Sequence, residues 1–275
     1  MCSSALSNFS EAVVFGGAGG FGRVFAAQLL ASGITVTTID SQPGADLEGD
    51  ICSDTSRFEK LLAGAELVML CLPQDATIDV LKALDGLTLD TLLVDICSVK
   101  SVVAQTAASV CRGCEYVSLH PMFGPDRPIK GSNGVFMPIR GGQRAAEFRS
   151  LVSGWGVQLI DTDVQTHDRV TSLVQVITHA VLATFANVRE QLRSEGAISE
   201  DLVDAFATPV FAELERVSQG MVRENAALYH NIQTANPWGD DVRARLDLAL
   251  SQTLDALSDE DAEATRALFA RIAKN

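Results

Sequence analysis

Four histidines occur in the 275 residues. One of them, His120, stands in Leu119-His-Pro-Met-Phe-Gly-Pro-Asp126, where two prolines and a glycine exclude helix and stiffen the chain. An imidazole held this way can accept a proton near neutral pH, since its unperturbed pKa is about 6.5. A tight turn after a strand is the plainer use of the same residues. One strand earlier comes Asp95-Ile-Cys-Ser-Val-Lys100, whose Ser98 could orient the imidazole, cap a helix over Val99 to Ala108, or do both. Near the N-terminus, Gly17, Gly19 and Gly22 form G-x-G-x-x-G after the apolar run Val13-Val14-Phe15 and at the head of an amphipathic stretch. In that context the first glycine permits the tight turn. The second lets the backbone approach a pyrophosphate, and the third lets helix and strand pack closely. Asp40 follows Gly22 by 18 residues, a spacing that suits a carboxylate on an adenosine ribose, although an aspartate ending a strand also caps turns. Its charge would repel a 2′-phosphate, and Ser41-Gln-Pro-Gly44 supplies no arginine to accept one, so NAD is expected over NADP.

These groups need elements to carry them. Short β-branched runs at Val13–Phe15, Thr35–Ile39, Leu67–Leu72, Leu92–Asp95, Tyr116–Leu119, Val135–Ile139 and Val157–Ile160 alternate with helical spacing at Phe21–Ala31 and Ala76–Leu84. That alternation predicts an α/β fold, a Rossmann-type doubly wound sheet over residues 1–161. His120 and Ser98 then stand at the carboxyl ends of strands, where such sheets bind ligands. Beyond Asp161 strand signals stop. Val170, Leu173, Val174, Ile177, Val181, Leu182 and Phe185 recur at helical spacing, predicting one helix of about 30 residues from Thr162 to Arg193. Helices from Pro209 to Glu224, from Ala226 to Thr234 and two after Trp238 complete an all-helical domain over 162–275, expected to carry substrate binding and dimerisation.

Thirty-five acidic residues against 21 basic ones give a net charge of −14, which disfavours nucleic acid and anionic membrane surfaces as partners. No leader pattern is seen in the first eight residues, and no apolar run of about 18–20 residues is evident, so no membrane span and a cytoplasmic location are expected. Six cysteines do not form a disulfide pattern, and Cys111-Arg-Gly-Cys114 lacks further ligands to complete a metal site, so no metal is expected.

The whole chain resembles the prephenate dehydrogenase family. The resemblance rests on Gly17 to Gly22, Asp95 to Lys100, the His120 loop, Thr166-His-Asp168, Gln175-Val-Ile-Thr-His179, Phe185-Ala-Asn187, Pro209 before a long helix, and Leu228-Tyr229. It implies hydride transfer from ring C4 of a cyclohexadiene to NAD with loss of the ring carboxylate as CO2. His120 would take the C4 hydroxyl proton, Ser98 would orient it, and His179 would be a second active-site histidine, although an apolar helix also accommodates a core histidine. The cofactor set is Gly17, Gly19, Gly20, Phe21, Gly22, Asp40, Leu72 and Pro73. The substrate set is Ser98, His120, Gln175, His179, Arg216, Arg223 and Tyr229. His167 reads as a capping or interdomain residue, and His230 matches no family histidine.

The family presents an arginine to a substrate carboxylate on the helix after Pro209, at the position held here by Gly220. Arg216 and Arg223 lie four before and three after it and could reach the same space. Arogenate and 4-amino-4-deoxyprephenate are the alternative substrates, since one imidazole can accept from a hydroxyl or an amine. No chorismate mutase or regulatory segment is recognisable, so a monofunctional homodimeric enzyme is expected. A non-catalytic dinucleotide-sensing regulator is the alternative from another class.

Overall fold

The structure, a computed structural model, describes residues 9–87, 89–223, 226–258 and 262–273, with the side chains of Val222 and Arg223 excepted. The chain divides into two compact units, Met1–Asp168 and Arg169–Asn275.

The first unit contains β1 (Glu11–Phe15), α1 (Gly20–Ala31), β2 (Thr35–Asp40), β3 (Leu47–Glu48), α2 (Thr55–Gly64), β4 (Leu67–Leu70), α3 (Gln74–Leu84), β5 (Leu92–Asp95), α4 (Ser101–Ser109), β6 (Glu115–Pro121), β7 (Asn133–Arg140), α5 (Gln143–Gly154) and β8 (Gln158–Asp161). The eight strands form one sheet in the order β3-β2-β1-β4-β5-β6-β7-β8, parallel except for the antiparallel pair β6–β7. Successive residues of a strand point to opposite faces. Along β4, Val68 and Leu70 therefore join one apolar cluster with Phe58, Leu62, Leu81 and Leu84 of α2 and α3. Leu67 and Met69 join another, with Phe25 and Leu29 of α1 and Phe148 of α5. A central strand buried on both faces is what makes the sheet doubly wound, as the sequence predicted. The short β3 and helices α2 and α5 are additions to the predicted elements.

Strand order reverses after β1, whose neighbours are β2 and β4. The carboxyl ends of β1 and β4 thus flank the position where such sheets hold ligands. Cys111 and Cys114 are buried near the far end of α4 and donate their thiols to the carbonyls of Leu81 and Leu89. Burial pushes the Cys111 thiol up to about 12, so the pair packs as small apolar side chains.

Helix α6 (Val164–Thr171) carries the division between the units, since Asp168 belongs to the first. The division falls beyond the expected Asp161 because Asp168 bonds to the start of α4. The second unit continues with a π-helical turn, Ser172–Val176, then α7 (Ile177–Glu195), α8 (Glu200–Phe206), α9 (Pro209–Arg223), α10 (Ala226–Ala235), α11 (Gly239–Ser258) and α12 (Ala262–Ala273). The predicted single helix is thus interrupted by the π turn, and Glu224 lies outside the described residues. Val164–Glu195 is helical throughout and contains an 18-residue window of mean hydropathy 1.3 with 22% of it buried. This corrects the expectation that no run is apolar enough: by length and composition alone, one helix among the described residues could span a membrane. Leu173 and Val170 are 64% and 52% exposed in the single chain, whereas Val176 and Leu182 of the same helix are buried.

Candidate active site

The glycine-rich loop departs from the assignment made from its spacing. The tight turn belongs to Gly16, at φ +77°, and a Cβ there would lie 2.1 Å from the Cys71 carbonyl oxygen. Gly17 instead passes against Thr38 of β2, where a Cβ on the glycine would lie 2.5 Å from the Thr38 Cβ. Gly22 lets α1 approach the loop, because its Cβ would meet the Gly16 carbonyl oxygen at 2.0 Å. Helix α1 opens at Gly19 without a side-chain cap and without an acidic residue in its first turn. Its first-turn amides, from Gly20, Phe21 and Gly22, have no partners inside the helix and favour an anion. Asp40, ending β2, accepts hydrogen bonds from the amides of Ala18 (3.0 Å) and Gln42 (2.9 Å) and so steadies the loop beside it.

A cavity of about 310 Å³ opens beside Asp40. Ile51, Leu72, Ala76 and Val80 give it apolar walls, while Asp50 and Asp79 add acid to its rim. Pro73 stands at the N-cap of α3 and is exposed. The loop Gly49–Cys52 was missed from the sequence, where it carries no glycine motif or strand.

The His120 loop packs directly on this nucleotide cradle. Phe123 meets Phe21 edge to face with centroids 5.9 Å apart, and a Cβ on Gly20 would come within 2.8 Å of Pro125 Cγ. His120 itself sits at the end of β6, 2% exposed. Its Nδ1 lies 2.8 Å from Nε2 of His167, and His167 Nδ1 lies 2.8 Å from Asp168 Oδ1. Asp168 in turn accepts from the amides of Lys100 (3.0 Å) and Ser101 (2.9 Å) and from the Ser101 hydroxyl. The expectation that Ser98 orients His120 and caps the next helix is therefore corrected on both counts. The imidazole meets His167, and Asp168 caps α4, whose N-cap is Lys100. Ser98 is half-buried and its hydroxyl bonds to no other described residue, which leaves it available to a ligand.

Lys100 was missed as well. Fully buried, its ammonium pairs with Asp95 Oδ1 at 2.9 Å and donates to the Leu119 carbonyl at 2.8 Å, next to His120. Asp95 also accepts from the Tyr116 hydroxyl (2.7 Å) and the Cys97 amide (3.0 Å), so both oxygens of the buried carboxylate have donors. Burial, followed by the charge of Lys100 and the neighbouring His167, holds the His120 imidazole well below its ordinary 6.5. It is a neutral acceptor. Burial pushes the Asp168 carboxyl up, but the hydrogen bonds from His167, Ser101 and the Lys100 amide outweigh it, and the group is held below its ordinary range as an anion.

Within the second unit, His179 and Tyr229 stack edge to face at 4.7 Å. Gln175 lies one turn before His179 in the π turn, with its Oε1 buried and without a hydrogen-bond partner among the described residues. π turns recur at functional sites, and here Gln233 satisfies the displaced Val176 carbonyl at 2.9 Å. Arg216 is exposed on α9 and pairs with Glu213 one turn earlier at 2.5 Å. The Arg223 side chain lies outside the described residues. A Cβ on Gly220 would meet nothing within 4 Å, so space is not the reason for its glycine.

A nucleotide cradle with a buried neutral histidine packed on it is the arrangement of a dinucleotide-dependent oxidoreductase. Residues 25–136 match the model of the prephenate dehydrogenase nucleotide-binding domain, and residues 163–271 match that of the prephenate dehydrogenase dimerization domain. The chain belongs to the prephenate dehydrogenase family. It is 29% identical to a 4-amino-4-deoxyprephenate dehydrogenase of Streptomyces pristinaespiralis, over 97% of this chain and 91% of the relative. It is 30% identical to the T-protein of Enterobacter agglomerans over 80% of this chain, which spans 55% of that longer protein. The fold is similar to a crystal structure of prephenate dehydrogenase from A. aeolicus in complex with hydroxyphenyl propionate and NAD+, with a TM-score of 0.70 at 17% identity and 96% of each chain covered.

Proposed function

We propose that the chain catalyses NAD-dependent oxidative decarboxylation of a prephenate-type cyclohexadiene to an aromatic product, as in prephenate to 4-hydroxyphenylpyruvate on the route to tyrosine. The observation that carries this reading is the buried, neutral His120 fixed against the first turn of α1 by Phe21, Phe123 and Pro125.

The cradle fits NAD. Close backbone approach at Gly16, Gly17 and Gly22 leaves the uncapped α1 N-terminus open to a pyrophosphate, with Gly19, Gly20 and Phe21 beside it. Asp40 and the apolar cavity beyond it suit an adenosine, with Leu72 as a wall and Pro73 at its edge, and the acid at the rim disfavours a 2′-phosphate. Bound NAD supplies a hydride acceptor. His120 accepts a hydrogen bond from the C4 substituent and takes its proton as carbonyl character develops. Ser98 donates to substrate. Gln175, His179 and Tyr229 bind substrate, with Arg216 or Arg223 as the cation for a carboxylate.

A second reading, 4-amino-4-deoxyprephenate, is favoured by the relative matched over 91% of its length and by glycine at position 220. Arogenate is the third member of this class. Nothing among the family matches supports the non-catalytic regulator. The enzyme is a cytoplasmic homodimer through the helical domain, and a partner copy covers the exposed apolar faces of that domain, which include Phe206 at 81% exposure. The test is to offer prephenate, arogenate and 4-amino-4-deoxyprephenate with NAD and follow NADH. Turnover of none of them defeats the proposal.

A further inference from the structure

The chain His120–His167–Asp168 has a direction built into it. Asp168 carries no proton, and both its oxygens are engaged with donors: Oδ1 with His167 Nδ1 and the Lys100 amide, Oδ2 with the Ser101 amide and hydroxyl. An anionic carboxylate can only accept, so the hydrogen between it and His167 sits on His167 Nδ1. In the neutral ring, His167 Nε2 is then an acceptor, and the 2.8 Å contact with His120 requires the hydrogen on His120 Nδ1. The remaining nitrogen, His120 Nε2, presents a lone pair.

We propose that His167 and Asp168 act as a two-residue proton store behind His120. As hydride leaves C4, the substrate O–H (or N–H) bond breaks and a His120 Nε2–H bond forms, while the Nδ1–H bond of His120 breaks and a His167 Nε2–H bond forms. The cation thereby rests on His167, in contact with the Asp168 carboxylate. When CO2 departs and its electron pair enters the ring, the same two transfers run backward and return the proton to the C4 heteroatom. No proton is gained or lost overall. This deepens the reaction proposed above and rests on it.

Two features favour His167 over His120 as the resting place. The ammonium of Lys100, held by Asp95 and the Leu119 carbonyl, stands on the His120 side. Of the two imidazoles, it is that of His167 that the Asp168 carboxylate touches. Both imidazoles are 2% exposed, so exchange of the stored proton with bulk water is impeded. In this role His167 is a positioning residue that also receives charge, whereas His120 alone meets the substrate.

With four histidines in the chain, 15N-histidine labelling of the full protein resolves each ring. The free enzyme is expected to show His120 with a protonated Nδ1 and an unprotonated Nε2, with scalar coupling across the His120–His167 hydrogen bond. A proton on His120 Nε2 instead would overturn the proposal, and this measurement needs no substrate. His167→Gln separates orientation from storage, since its amide oxygen can accept from His120 Nδ1 but cannot take the proton. It is expected to keep the His120 signature and NAD affinity while kcat falls about 100-fold. Unchanged kcat in that variant overturns the transfer step. If the wild-type enzyme oxidises none of the three cyclohexadienes, the reaction and the storage step fail together, and the spectrum still decides the tautomer.

Discussion

The rings of Phe123 and Phe21 meet edge-on with centroids 5.9 Å apart, joining the loop after β6 to the first turn of α1. His120, proposed to take the proton, and the backbone proposed to hold the pyrophosphate are therefore placed by one another. Gly20, beside Phe21, already lies within 2.8 Å of Pro125 by the position its Cβ would take. Gly20→Ala must push the loop outward by a few tenths of an ångström. Steady-state kinetics should show kcat lowered about tenfold, with a smaller change in the NAD dissociation constant. An equal loss in both would mean that the loop and the cradle are not coupled in this way.

The depressed His120 imidazole has a consequence for stability. The unfolded chain binds a proton at this residue as pH falls below about 6.5, whereas the folded chain does not. Stability contributed here is complete above that pH and is lost on acidification, at up to about 1.4 kcal/mol per pH unit for one proton. Urea unfolding of wild type and His120→Asn between pH 8 and 5.5 should show the shallower acid slope in the variant.

The Lys100–Asp95 pair is fully buried. Removing one partner strands the other charge, so Lys100→Met should cost about 3–5 kcal/mol in denaturant unfolding. Adding Asp95→Asn should recover part of that loss, because the two residues share one network with Tyr116 and Cys97. Additive losses would show that the ionic contact contributes little.

Gly220 faces open space in the middle of α9. Gly220→Ala should raise stability by about 0.8–1 kcal/mol through helix propensity alone, read as a shift in the urea midpoint. Gly220→Arg supplies the cation that the resemblance to the family leads one to expect there. A lower KM for prephenate, with KM for the 4-amino substrate unchanged or higher, would mark position 220 as the discriminating one.

Much of the first unit was legible because its signals are local. The continuous apolar run Leu67 to Leu70, buried on both faces, and the glycines opening α1 are written in neighbouring residues. Helix α5 was passed over because Ala145, Phe148 and Val152 make only a thin apolar stripe among charged residues. The site was harder to read. Asp168 was given no role of its own, yet it caps α4, whose first amides are 68 and 67 positions away. His167 reaches His120 across 47 residues. Pairings at that distance are set by the sheet order, which brings the ends of β5 and β6 side by side, and no short motif encodes them.

Asp168 caps α4 with the same oxygen atom that anchors the histidine pair. The two amides it receives, from Lys100 and Ser101, are therefore natural reporters. Their hydrogen-exchange protection should rise and fall with the alignment of His120, and deuterium uptake over the first turn of α4 should read out the state of the base without substrate, label or mutation. A compound that slowed exchange there would be tightening the site, whether or not it reached the imidazole.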